Sequence, residues 1–201
     1  MEQSTYQPQI EKNTAVSKLW SIIFEFVQVI FMSAAIFAIT YFFLFQANQV
    51  RGTSMVPTFH NNEYILTDKL TYSWIREPEV GDVIIFKSPE NSKYDFIKRV
   101  IALPGDTIKI EFGDVYVNGQ KIEEPYLANG TETKAGVFLK NGFEFTTPPD
   151  AYMVLGDNRG GSSDSRDWGP VPADNIIGRA WFRYFPFSVL GYVGDTKIWD
   201  N

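Results

Sequence analysis

The sequence predicts an all-β fold, mainly an antiparallel sheet with an inserted β subdomain, preceded by one transmembrane helix. Three observations predict it. An uncharged apolar stretch runs from Val27 to Phe45, short β-branched and aromatic runs recur through the rest of the chain, and clusters of Gly, Pro, Asn and Asp separate those runs.

The apolar stretch carries Ile30, Phe31, Ile36, Phe37, Ile39, Phe42, Phe43 and Leu44. As a helix it is long enough to span a hydrocarbon core of roughly 30 Å. Length weighs against a buried core helix and against a cleaved secretory signal, whose apolar core runs about 7 to 15 residues. Phe45-Gln46-Ala47 also lacks a small-x-small cleavage pattern, and Tyr41, Phe42, Phe43 and Phe45 fall where aromatic rings favour the outer interface. The expected organisation is a tail at residues 1–20, an anchor at 21–46 and a domain at 47–201. Lys12 and Lys18, set among Glu2, Glu11 and Glu25, give weak support for an inside N-terminus, because the orientation rule counts only Lys and Arg.

Beyond residue 46 the strand candidates are Tyr64-Ile65-Leu66, Val83 to Phe86, Phe96 to Leu103, Val115-Tyr116-Val117, Tyr152 to Leu155 and Trp181 to Phe185. Gly81-Asp82, Pro104-Gly105-Asp106, Asn118-Gly119, Asn141-Gly142 and Pro148-Pro149 punctuate them. Asn118-Gly119 predicts a tight hairpin, since both residues tolerate positive φ. The stretch from about 109 to 147 is more polar and richer in Gly, Asn and Thr, which marks it as the inserted subdomain.

Composition excludes several function classes. The 201 residues hold 24 acidic against 18 basic side chains, a net charge of -6, so nucleic acid is not an expected partner. With no cysteine there are no disulfides, thiolate metal sites or cysteine nucleophiles, and with His60 alone the usual zinc sets cannot form. Neither metal nor cofactor is expected. His60 lies in Phe59-His60-Asn61-Asn62, a run that reads as a solvated loop.

Three runs carry candidate chemistry. Val50-Arg51-Gly52-Thr53-Ser54-Met55-Val56-Pro57-Thr58 sets a serine within about ten residues of the anchor, where it can act at the bilayer surface. Phe96-Ile97-Lys98-Arg99-Val100-Ile101-Ala102-Leu103 places two cations in an apolar strand. Alternation puts Lys98 on the face of Phe96, Val100 and Ala102, and Arg99 on that of Ile97, Ile101 and Leu103. Burial among such neighbours lowers a lysine pKa and makes a neutral amine available for base catalysis. Snorkelling of Lys98 to water is the alternative. The third run, Gly156-Asp157-Asn158-Arg159 through Asp164-Ser165-Arg166, forms a dense hydrogen-bonding loop after a strand, and Asp157 is the natural partner for Arg99. It is not a phosphate loop, because the lysine and hydroxyl that should follow the second glycine are missing.

Together with Gly81-Asp82-Val83-Ile84-Ile85-Phe86, these runs resemble, in order, the sequence boxes of bacterial type I signal peptidases. The resemblance implies a membrane-anchored serine endopeptidase that removes signal peptides from exported preproteins, with the catalytic domain on the extracytoplasmic face of the plasma membrane. It implies Ser54 as nucleophile, Lys98 as general base, and Ser162 as a hydroxyl that hydrogen-bonds the lysine amine. Arg99 with Asp157 and Arg166 with Asp164 would brace the site. Gly52 stands where some members carry a serine that helps bind the oxyanion, and Asn48 where an aromatic residue is frequent. The family cuts after small residues, for which Val50, Met55, Phe96 and Ile97 are candidate pocket walls. Residues near Phe59 and Trp74 are candidates for contact with membrane lipid. The rival readings are a self-cleaving Ser/Lys peptidase of the repressor type, which carries a DNA-binding module in place of an anchor, and a non-catalytic anchored β-domain.

Overall fold

The computed structural model describes residues 14–89 and 91–194. Glu2, Glu11 and Lys12, invoked above for orientation, lie outside them, as do residues 195–201. The chain divides into two units, Met1–Phe43 and Leu44–Asn201.

In the first unit, α1 spans Thr14–Leu44. Its segment Val16–Tyr41 is long and apolar enough to cross a membrane, with a mean hydropathy of 2.3 and none of the tested window buried. Trp20, Phe24, Phe31 and Phe37 are all largely exposed, so the helix is apolar around its circumference, the pattern of a segment solvated by lipid. The helix begins before and ends earlier than the 21–46 span expected. Phe45 and Gln46 open an edge strand instead, pairing with Asp68 and Thr67, and the Leu44 carbonyl already accepts from Lys69 N at 3.0 Å. Apolarity alone does not separate a last helical turn from the first residues of a strand; the partner strand decides it.

The second unit holds two antiparallel sheets. The first contains β1 (Phe45–Gln49), β2 (Tyr64–Asp68), β3 (Val83–Lys87), β4 (Asp95–Ala102), β9 (Ala151–Leu155), β10 (Val171–Pro172), β11 (Ile176–Phe185) and β12 (Gly191–Tyr192), in the order β1-β2-β11-β3-β4-β9-β10 with β12 paired to β11. The second contains β5 (Thr107–Glu111), β6 (Asp114–Val117), β7 (Gln120–Lys121) and β8 (Glu144–Thr146), in the order β7-β6-β5-β8. A short helix, α2, covers Ser165–Trp168.

The unbroken apolar run of β3 reflects burial on both faces. Ile84 and Phe86 enter one core cluster, with Val100, Tyr152 and Val154, while Val83 and Ile85 enter another, with Val50, Met55, Phe59 and Ile65. Strict alternation fails in β4. Its register against β9 shifts between Val100 and Ala102, and Ile101 and Ala102 pack together in a third cluster with Met153 and Leu155. A bulge of this kind lets adjacent residues serve one side of a sheet, which simple alternation cannot foresee.

Asn118 (φ 52°) and Gly119 (φ 76°) form the expected hairpin turn between β6 and β7. A second turn of the same kind, Phe112 (φ 53°) and Gly113 (φ 84°), joins β5 to β6. It escaped the sequence reading because phenylalanine rarely takes a positive φ. The second sheet is not walled off from the first: Ile108, Ile110, Val115 and Val117 share the cluster of Ile101, Ala102, Met153 and Leu155.

Candidate active site

Ser54 lies in the loop that joins β1 to β2. The ladder continues into this loop, with Val50 N donating to Glu63 O at 2.8 Å and Asn62 N to Val50 O at 2.9 Å. Gly52 turns the chain at φ +92°, a conformation that favours glycine, and its N–H donates to Asn61 Oδ1 at 2.9 Å. Met55 and Phe59 are fully buried plugs that seat the loop on the sheet. Phe59 therefore has no surface to offer to lipid, contrary to expectation, whereas Trp74, on a π-helical turn at Thr71–Ile75, is 84% exposed. From the other side, Asn158 N donates to Ser54 O at 3.0 Å and Asn158 Nδ2 to Thr53 O at 3.1 Å.

Lys98 projects from β4, opposite Ile84 of β3, and is 4% exposed. Its Nζ lies 2.9 Å from Ser54 Oγ and 2.9 Å from the Ile97 carbonyl oxygen, with the Phe96 ring centre 5.4 Å away. Burial lowers the Lys98 pKa from 10.5 to about 8; the charges of Asp164 and Asp157 pull it back up and that of Arg166 pushes it down. The 2.9 Å separation serves N–H···O when the amine is charged and O–H···N when it is neutral. The snorkelling alternative is thereby excluded.

Arg99, the next residue, is fully buried and grips Asp157 with both arms of its fork, Nε to Oδ1 at 2.9 Å and Nη2 to Oδ2 at 2.6 Å. Thr58 Oγ1 also donates to Asp157 Oδ2, and Arg99 Nη1 donates to the Gly81 carbonyl at 2.9 Å. Arg166 makes a second fork with Asp164, at 2.7 and 2.8 Å, and Asp164 Oδ2 accepts from Gly156 N at 2.9 Å. The geometry thus joins both charge pairs named from the sequence. Ser162 differs from expectation. Its buried Oγ has no hydrogen-bond partner, and the lysine amine is directed at Ser54 and Ile97 instead. The Ser162 hydroxyl packs against the Gly156 backbone, where an added Cβ would lie 2.2 Å from it and 2.5 Å from Ser54 O.

A groove of about 280 Å³ runs beside the pair, walled by Val50, Phe96 and Ile97 together with Ile65, Ile85 and Asn48. Met55, the fourth wall expected, is 1% exposed and belongs to the core beneath. In a turn that tucks successive side chains inward, adjacency to Ser54 does not amount to access to the groove. A larger polar hollow of about 510 Å³, near Asp114, Lys121 and Thr131, contains neither Ser54 nor Lys98. His60 is exposed, with Nδ1 3.5 Å from Glu63. Among the described residues no group of His, Asp and Glu is arranged to hold a metal ion.

Other polar anchors escaped the sequence reading. Asp82, read only as part of a turn, accepts from Arg76 at 2.7 and 3.0 Å and from Tyr72 Oη at 2.8 Å. Arg159 pairs with Glu124. No local signal announces such pairs, because their partners come from separate segments.

The model of the family described as signal peptidase, peptidase S26, matches residues 23–185. The chain is 34% identical over 190 residues to a probable signal peptidase I-1 of Synechocystis, covering 91% of this chain and 93% of that one. It is 36% identical over 185 residues to signal peptidase I of Bacillus amyloliquefaciens, covering 90% and 94%. A crystal structure of a signal peptidase I from Enterococcus faecalis is 30% identical, with a TM-score of 0.42 over 52% of this chain and 97% of that one. The protein is accordingly a hydrolase of the serine endopeptidase class. The chain belongs to the signal peptidase family, peptidase S26.

Proposed function

We propose that the protein is a membrane-anchored signal peptidase that cleaves signal peptides from exported preproteins through a Ser54/Lys98 dyad. The observation that carries this reading is the 2.9 Å separation between Lys98 Nζ and Ser54 Oγ at an amine that burial keeps partly neutral. Neutral Lys98 takes the Ser54 proton as Oγ attacks the scissile carbonyl, and the Ser54 backbone N–H donates to the developing oxyanion. The lysine returns its proton to the leaving amine. It then draws a proton from water, whose oxygen attacks the acyl carbon; the bond to Ser54 Oγ breaks, Lys98 passes the proton to that oxygen, and the product acid leaves. Gly52, Arg99, Asp157, Ser162, Asp164 and Arg166 shape and brace this pair. The chemistry needs neither metal nor cofactor.

The groove lined by Val50, Phe96 and Ile97 admits small side chains before the cut. In this reading the α1 segment Val16–Tyr41 forms the anchor, the residues before it lie inside, and the domain from Phe45 onward lies on the extracytoplasmic face, with the 109–147 region as an insertion. The exposed Trp74 and Ile75 are the side chains offered to the lipid interface, where tryptophan is favoured. The test is cleavage of a model precursor by the wild type and by Lys98→Ala, with the cut mapped by mass spectrometry. Cleavage after a small residue, abolished in the variant, supports the dyad. Wild-type turnover by Lys98→Ala overturns the dyad, and no cleavage by the wild type favours an anchored β-domain without catalysis.

A further inference from the structure

A buried polar cluster joins the segment after β7 to the loop after β9, and the chemistry just described makes no use of it. Arg159 has a fully buried side chain. Both its terminal nitrogens donate to Glu124, at 3.0 Å from Nη1 to Oε2 and by a short contact from Nη2 to Oε1, and Nη1 also donates to Thr133 Oγ1. Its Nε donates to the Gly156 carbonyl at 3.1 Å. Tyr126 Oη donates to Glu124 Oε1 at 2.7 Å, and the Tyr126 ring lies 4.0 Å from the Arg99 guanidinium carbon, which itself grips Asp157.

The loop after β9 is thus held twice from one segment. Gly156 is reached through Arg159 and Glu124, and Asp157 through Arg99 and Tyr126. Asn158, the next residue, donates to the Thr53 and Ser54 carbonyls. We propose that Glu124 and Tyr126 are positioning residues of the peptidase, which fix the loop at residues 156–159 and through it the relation of Ser54 to Lys98. Neither touches the reacting atoms. The inference rests on the Ser54/Lys98 reading and adds to it a strap lying outside the four sequence boxes.

The strap acts through geometry and through dryness. Loosening the loop lets water reach the amine, and loss of burial returns a lysine toward its ordinary, higher pKa. The charged groups around Lys98 are Asp157, Asp164 and Arg166 beyond β9, Arg51 in the segment after β1, and Asp95 and Arg99 on β4 itself. Removal of the Glu124 charge also strands a buried guanidinium, so a loss of stability alone does not prove positioning.

The experiment compares Glu124→Gln, Tyr126→Phe, the doubly neutral Glu124→Leu/Arg159→Met and the exposed neighbour Glu123→Gln as control. The full chain in detergent cleaves a model precursor, with kcat, KM, pH profile and thermal midpoint recorded. The expected result is a fall of about tenfold in kcat with KM little changed for Glu124→Gln, the size of effect that a misplaced reacting group produces. The acid limb of its profile moves up by about half a pH unit or more. Tyr126→Phe shows a smaller change in the same direction, and Glu123→Gln matches wild type. The double variant regains thermal stability without regaining kcat. The proposal is overturned if Glu124→Gln and Tyr126→Phe keep the wild-type rate and pH profile, or if the double variant restores both stability and rate, which marks the pair as structural only. Ser54→Ala and Lys98→Ala, run alongside, separate the two readings: activity surviving in either removes the dyad itself, whatever the strap variants do.

Discussion

Lys98 Nζ meets Ser54 Oγ at 2.9 Å although the two residues stand 44 positions apart, one in the loop after an edge strand and the other on a strand that is not its neighbour. Ser54 follows β1, at one edge of the sheet, while Lys98 lies on β4, with β2, β11 and β3 between. The loop crosses that distance because Val50, Met55 and Phe59 pack on Ile65 of β2, Ala180 of β11 and Val83 and Ile85 of β3, with Ile97 of β4 against the same cluster. Apolar burial of the loop's own side chains delivers the hydroxyl to the amine.

Cleavage should depend on pH through that amine. With a pKa of about 8 roughly a tenth of Lys98 is neutral at pH 7, against less than about one part in a thousand at the ordinary value. The kcat/KM of precursor cleavage is expected to rise through an inflection near pH 8 and to level off above it. A profile climbing without inflection to about pH 10.5 contradicts a desolvated base. His60→Ala should leave the profile and most of the rate intact, since that side chain is exposed and sits beside Glu63.

Lys98 should also cost the fold stability. Its native pKa lies below that of the unfolded chain, so between about pH 8 and 10.5 unfolding takes up protons and stability rises with pH. Below that window the whole cost is present. Lys98→Met, inactive by design, is expected to be more stable than wild type at pH 7 by about 1 to 3 kcal/mol, with the gain fading toward pH 10.5. Urea titrations of the two proteins at pH 7 and pH 10 measure it, and equal stabilities at both would count against the buried cation.

Buried and exposed ion pairs predict losses of different size. Asp157→Ala leaves Arg99 buried without its counter-charge and should cost about 3 to 5 kcal/mol. Asp114→Ala breaks a pair with Lys121 that is open to solvent, 38% and 58% exposed, and should leave stability nearly unchanged. Thermal midpoints of the two variants settle the comparison.

Gly156→Ala should damage catalysis severely. The new methyl would fall 2.5 Å from the Ser54 carbonyl oxygen and 2.2 Å from Ser162 Oγ, and the first of these is backbone that carries the nucleophile. A displacement of that size predicts a rate loss of about a hundredfold in precursor cleavage. Gly160→Ala, in the same loop, meets nothing within 4 Å and should cleave at close to the wild-type rate.

Much of this site was legible in the sequence where chemistry and neighbours are local. Lys98 among apolar strand residues left burial and snorkelling both open until packing chose burial, while Asp157 was legible as the partner of Arg99. Ser162 was legible only by resemblance, and its hydroxyl makes no bond to the amine. Met55 and Phe59 misled, because a loop that folds back on a sheet hides side chains that a linear reading leaves at the surface. Glu124, Tyr126 and Arg76 carried no signal, since each is defined by a partner from another segment.

The order of apolar, polar and turn-forming residues by itself determined an apolar helix of spanning length, an antiparallel β domain and a lysine set in an apolar strand, while the pairing of that lysine with Ser54 came from the resemblance. Those features depend on local propensity and on residue chemistry, which the chain carries wherever it goes. Only the tertiary structure decided that β1 begins at Phe45, that a bulge turns Ile101 and Ala102 into one core, and that Lys98 loses its water while facing Ser54. Register, burial and distance are properties of pairs of segments, and they exist only once packing has chosen which segments meet.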